Sequence, residues 1–241
     1  GWSFCSEPWI LNPQAKARLL QVEASIKMAQ SQHSAVAQAM SGRSAPQSGS
    51  VLLPSKRRRR ENKSVPDDSQ PPAAPDPKSP FLILRVRRSH LVEDSLDALA
   101  QQTTASLLKP LRVVFEGEPG VDEGGVRKEF FQLLVDQLFT PDFGMFEWLE
   151  ESRCFWFSRA SAALEAEAEF LLVGLVIGLA IHNGVILDLH FPHLLWLRLM
   201  NEPVDFSHLQ QTHPDLWRGL HSLLTFDGDV ENTFMADFTV T

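Results

Sequence analysis

Cysteine is nearly absent from this chain of 241 residues: only Cys5 and Cys154 occur, far apart and in unlike surroundings. That excludes a disulfide framework and points to a reducing compartment. The longest uninterrupted apolar run, Phe170–Ile181, has twelve residues. A bilayer crossing needs about 20, so the run is expected to be a buried helix. No signal peptide is expected at the N-terminus, since Gly1–Pro8 is short, lacks a basic region and includes Glu7. Basic side chains are scarce after residue 110: residues 111–241 hold 7 Lys and Arg against 21 Asp and Glu, whereas residues 1–110 hold 15 against 9. The net charge of −8 therefore combines a basic leader with a strongly acidic body. The acidic body argues against nucleic acid and for basic protein partners.

What is present divides the chain. Asn12-Pro13 gives a cap followed by proline in the first turn. Ala15, Leu19, Val22, Ile26 and Met28–Ala29 then make one helical face, with Lys16, Arg18, Glu23 and Lys27 outside it. Residues 41–80 are rich in Ser, Pro, Gln and charge and cannot bury enough surface to offset their ordering entropy, so a disordered linker is expected. Within it Lys56, Arg57, Arg58, Arg59 and Arg60 form a basic run. Its candidate roles are a solvated linker charge, a nuclear-import signal in an otherwise cytoplasmic protein, and a nucleic-acid contact.

Order is expected to resume at Phe81–Val86 as a strand, followed by a helix over Leu91–Leu99 with Ser89 as N-cap and Glu93 and Asp94 in its first turn. The next stretch, LRVVFEGEPGVDEGGVRKEFFQLL (Leu111–Leu134), reads as strand, acidic glycine loop and amphipathic helix. Val113, Val114 and Phe115 carry the strand, and Val126, Phe130, Leu133 and Leu134 share the helix face. A glycine loop feeding a helix can cradle phosphate, but this one carries Glu116, Glu118, Asp122 and Glu123 and matches no nucleotide fingerprint. Asp122 or Glu123 suits the helix N-terminus instead.

Further on, Pro141 is expected to end that helix, and Gly144 to turn the chain into Met145–Trp148. Cys154–Phe157 reads as a short strand. Cys154 is a poor nucleophile there, beside Phe155, Trp156 and Phe157 with only Arg153 as nearby positive charge. Glu165, Glu167 and Glu169 precede the apolar helix, where macrodipole compensation explains them better than acid–base chemistry. Gly174 and Gly178, four apart, are expected to let another helix come close. His182, His190 and His193 invite a metal reading, but no cysteine or carboxylate pair completes a ligand set. Pro192–Met200 reads as a helix covered on more than one side. A second helix follows Pro214 with Leu216, Trp217, Leu220, Leu223 and Leu224 on or near one face, and alternation predicts a strand over Phe234–Val240.

These residues also carry a resemblance. GEPGVDEGGVRKEFFQLLVDQLFTPDFGMF (Gly117–Phe146), CFWF (Cys154–Phe157), EFLLVGLVIGLAIHNGVILDLHFP (Glu169–Pro192) and GDVENTFMADFTV (Gly228–Val240) resemble, in order, the amino-terminal lobe of HECT-type ubiquitin ligases. His182 and Trp196 stand where many members have tyrosine. The resemblance implies an α+β, predominantly helical fold: residues 81–241 as a partial amino-terminal lobe of a bilobal HECT domain, residues 41–80 as linker, and residues 1–40 as the upstream tether helix. It implies a ubiquitin-conjugating enzyme and ubiquitin as partners, with ubiquitin passing through a thioester on a cysteine to substrate lysines. That cysteine belongs to a carboxy-terminal lobe, so no catalytic residue is assigned here. No cofactor or metal is implied. Leu220 and Leu224 match leucines of the groove that receives the conjugating enzyme, and spacing of four sets them on one helix face. Beginning at Gly1 and stopping at Thr241, the chain is expected to be a fragment with an incomplete groove. The rival classes are a non-catalytic interaction module derived from the lobe and a nucleic-acid binder acting through Lys56–Arg60.

Overall fold

Asn12 does begin the first helix: its Oδ1 accepts the Ala15 amide at 2.8 Å, and Pro13 takes a position whose missing N–H costs nothing. Helix α1 runs Pro13–Ser41 in the computed structural model of the chain. The structure describes residues 8–41, 79–118, 124–159, 161 and 167–235. The linker with its basic run, Cys5, Asp122, Glu123 and Glu165 lie outside the described residues. The chain divides into two units, Gly1–Thr140 with Glu165–Leu187, and Pro141–Leu164 with Asp188–Thr241.

In the first unit, strand β1 (Leu82–Val86) leads through helices α2 (Leu91–Ala100) and α3 (Thr104–Leu107) to strand β2 (Leu111–Phe115). The strands pair in parallel, Leu82 opposite Leu111 and Val86 opposite Phe115. A parallel pair needs such a crossover, since no tight turn can reverse the chain twice. Leu82, Leu84, Val86, Leu111, Val113 and Phe115 alternate inward and are buried. Helix α4 (Gly125–Leu138) covers β2 with Phe130, Phe131, Leu134, Val135 and Leu138. Helix α5 (Glu167–His182) adds Leu172, Val173, Val176, Leu179 and Ala180. Each such large side chain contributes about 1.5–3 kcal/mol on burial.

Polar contacts fix the joints of this unit. Asp94, 4% exposed, accepts from the Arg87 backbone N–H and Nε at 2.8 and 3.0 Å through Oδ2, and from Nη2 at 2.8 Å through Oδ1. Arg88 holds Glu118 and Glu129 and lies 4.2 Å from the Phe115 ring centroid. It therefore ties the acidic loop to β1 and α4, and its hydrogen bonds, helped by its charge, hold the Glu118 carboxyl below the usual range. Asn183, after α5, accepts the Leu111 amide at 3.0 Å and donates to the Leu179 carbonyl at 2.8 Å.

Several expectations need correction here. Ser89 does not cap α2; a 3₁₀ turn over Arg88–His90 intervenes, His90 occupies the cap without a side-chain bond, and Ser89 Oγ lies 2.8 Å from His90 Nδ1. Helix α4 ends at Leu138, before Pro141, which opens its own 3₁₀ turn. The run Phe170–Ile181 is only half buried, since Leu171 and Ile181 are exposed. Gly174 and Gly178 are exposed too, and an added Cβ would meet nothing within 4 Å. The apolar row of α1 also faces out: Leu19, Val22 and Ile26 are exposed, while Ala24 and Ala35 are the buried residues of the helix.

The second unit begins with a hairpin. Strands β3 (Phe146–Leu149) and β4 (Cys154–Phe157) pair antiparallel, Phe146 opposite Phe157 and Leu149 opposite Cys154. Gly144, at φ 75°, makes the turn into β3. Helices α6 (His193–Leu199), α7 (Leu209–Thr212), α8 (Pro214–Thr225) and α9 (Val230–Phe234) follow. No residue of α6 is fully buried and Leu199 is exposed, against the expectation of cover on several sides. Helix α9 ends at Phe234, so the strand expected from there fails at its first residue, and Ala236–Val240 lie outside the described residues. Asp229 Oδ1 accepts the Asn232 amide at 3.1 Å, an N-cap that outweighs the alternation at Phe234.

Candidate functional site

Helix α8 starts at Pro214, whose fixed φ suits a first turn, and has Asp215 beside it for the positive end of the helix. Asp215 also pairs with Arg218 one turn on. Ser222 and Thr225 return their hydroxyls to the carbonyls of Arg218 and His221, each at 2.8 Å, and so add no polar demand to the surface.

Trp217 anchors the helix. Its ring stacks on His221 at 4.7 Å between centroids and on Phe206 at 6.2 Å. Phe206 is itself held by a turn in which Asp205 accepts the Ser207 amide at 2.9 Å, and those hydrogen bonds lower the Asp205 pKa. With Trp217 and Leu223 half-buried, the helix presents Leu216, Leu220 and Leu224 outward, 52%, 40% and 72% exposed. Spacing of four lines these three up as one apolar row. Beyond the helix, Phe226 and Phe234 meet edge to face at 5.2 Å, both partly exposed.

The two leucines named from sequence, Leu220 and Leu224, thus share an open face and are not core leucines. Sequence reasoning placed Leu216 and Trp217 on or near that same face; the structure sends Leu216 out and Trp217 in. It missed Phe226 and Phe234. The signal for that pair was Asp229, whose cap turns Phe234 back toward Phe226.

Cys154 stands elsewhere in the same unit. It is 5% exposed, and its Sγ lies 3.0 Å from Ser152 Oγ, a neutral hydroxyl that provides no positive charge to hold a thiolate. It borders an open depression of about 370 Å³ shared with His190, His193 and Trp196. The His190 ring lies 3.6 Å from an Asp188 carboxylate oxygen, while its backbone carbonyl accepts the Phe155 amide at 2.7 Å. In the other unit, His182 Nε2 donates to the Leu108 carbonyl at 3.0 Å, a structural tie at the end of α5. No group of three His, Cys, Asp or Glu suited to a metal ion occurs among the described residues, and no helix there is long and apolar enough to cross a membrane.

The described residues form an α+β, mostly helical protein with an outward apolar row on α8. Comparison with known proteins supplies the family. The model for the HECT domain (ubiquitin-transferase) matches residues 132–241. The chain is 37% identical to human "Probable E3 ubiquitin-protein ligase HERC3" and 35% identical to human "Probable E3 ubiquitin-protein ligase HERC4", in both cases across 99% of its own length and 20% of theirs. It is 42% identical to mouse "Probable E3 ubiquitin-protein ligase HECTD2" over 69% of this chain and 23% of that one. The chain belongs to the HECT-domain family, and it spans about a fifth of the length of the curated relatives it matches.

Proposed function

We propose that this chain is the part of a HECT-type ubiquitin ligase that receives the ubiquitin-conjugating enzyme, with Leu220 and Leu224 as the contact residues. The observation that carries the reading is the outward row of α8: apolar side chains held at the surface by a stacked Trp217 behind them are what an apolar loop of a partner can bury. Ubiquitin would then pass to a cysteine and on to substrate lysines. Neither cysteine of this chain takes that role in the proposal. Cys154 is buried against a neutral hydroxyl, and Cys5 lies in the leader. The HECT-domain portion is proposed to begin near Phe81, with α1 as an upstream element and Lys56–Arg60 as a solvated linker charge or a nuclear-import signal.

The test is a titration of isotope-labelled chain with a panel of ubiquitin-conjugating enzymes, followed by NMR. Weak binding that shifts amides of α8 is expected, and Leu220→Ala with Leu224→Ala should weaken it at least tenfold, the scale of losing two interface anchors. Binding that leaves α8 unshifted, or survives the double substitution, refutes the site. A ubiquitin thioester on this chain that is lost with Cys154→Ala refutes the assignment of that cysteine.

A further inference from the structure

Helix α1 has two unlike faces. The one buried by the rest of the protein is small: Ala24 and Ala35 are 7% and 3% exposed, and the helix packs on α5. The opposite one is bulky and bare, with Leu19, Val22, Ile26, Val36 and Met40 exposed by 46% to 85%. Together with Ala29 and His33, these residues follow one another in strict steps of three and four. A step pattern of that kind averages 3.5 residues per turn, the period of a seam between supercoiled helices, whereas a helix lying on a globular core follows 3.6.

We propose that this seam pairs with α1 of a second copy of the chain, forming a parallel two-stranded coiled coil. Charge selects the occupant. With Leu19 and Ile26 at the first core position of successive heptads and Val22 at the fourth, Arg18 and Glu23 flank the seam five residues apart. In a parallel, in-register pair those are the positions that meet across the interface, so Arg18 of each copy faces Glu23 of the other and the surface is complementary to itself. Glu23 already draws Lys27 to 2.6 Å on its own helix, yet both side chains are about half exposed, so Glu23 stays within reach of the Arg18 of the other copy. The later flanking positions, Ser25, Gln30, Gln32, Ala37 and Ala39, bring no like charges together. His33 is the one titratable core residue and fixes the register, since a shifted pairing would set it against an aliphatic partner.

Sedimentation equilibrium of the full 241-residue chain over roughly 1–200 µM tests this, a range that spans ordinary coiled-coil affinities. A reversible monomer–dimer equilibrium is expected. Ile26→Glu, at an exposed site, should leave the circular dichroism and melting of the monomer unchanged while weakening association by about 100-fold or more. Arg18→Glu should weaken it several-fold to about tenfold, and Arg18→Glu with Glu23→Arg should restore it to within about threefold of the original. A monomer at every concentration, a dimer indifferent to Ile26→Glu, or a double reversal as weak as the single one would each overturn the proposal.

Discussion

Removing the Asp94 carboxylate tests the framework most directly. Three hydrogen bonds converge on it, all from Arg87, and one of the donors is the backbone N–H where β1 ends. Asp94→Ala removes the carboxylate that accepts from the Arg87 amide and guanidinium. Breaking a buried pair from one side costs about 3–5 kcal/mol, and an orphaned N–H about 1–3 kcal/mol. Arg87 is 21% exposed, so it can turn partly into water and recover some of that loss. The expected cost is therefore about 2–4 kcal/mol. Asp94→Asn keeps one acceptor for the amide and should cost about half as much. Urea unfolding followed by far-ultraviolet circular dichroism reads the difference as a lower midpoint at constant slope. Tryptophan fluorescence is weighted toward the second unit, which holds four of the six tryptophans, Trp148, Trp156, Trp196 and Trp217, while Trp2 and Trp9 belong to the first. An Asp94→Ala variant within about 1 kcal/mol of the parent would show that the Arg87 contacts are incidental, well outside the range for a buried pair.

Gly174→Ala and Gly178→Ala should each stabilise the chain by about 0.5–1 kcal/mol, because both sit in a helix with open space where the methyl would go; a lower melting temperature would mean that something covers that face. Asn183→Leu should cost about 2–3 kcal/mol through the unpaired Leu111 amide and the lost bond to Leu179, and faster hydrogen exchange at Leu111 would mark the cause. Glu118 titrates lower in the folded chain than unfolded, so its pairing with Arg88 stabilises above the ordinary carboxylate range and fades as the pH drops through the folded value. Glu118→Gln should accordingly melt below the parent at pH 7, with the gap closing as the pH falls through and below the ordinary carboxylate range; a gap constant with pH would refute the pairing.

Where one residue sequence has only one favourable geometry, reading and structure agree. Alternation in Leu82–Val86 and Leu111–Phe115 leaves one face for the core, and of the α4 face read as Val126, Phe130, Leu133 and Leu134 the structure buries Phe130 and Leu134, leaves Val126 and Leu133 half-buried, and adds Phe131, Val135 and Leu138. The parallel pairing of β1 with β2 was not legible in the same way, because it depends on α2 and α3 crossing back, which no local pattern encodes.

Sidedness fails where a helix has two usable faces. In α1 the larger side chains predicted the inner face, and the protein buried Ala24 and Ala35 instead, since small residues let two helices approach closely and contribute little hydrophobic signal of their own. Helix α8 repeats that lesson at the candidate site. Its leucines and Trp217 are all apolar and nearly in phase, so periodicity offers Leu216, Leu220 and Leu224 to the core as readily as to solvent. What decides is Trp217, whose ring needs the flat faces of Phe206 and His221 and takes the inward side, leaving the row of three leucines with no remaining place in the core. The same physics makes both helices informative about partners: bulky apolar residues that a fold could have buried, and did not, mark the surfaces on which further protein is expected.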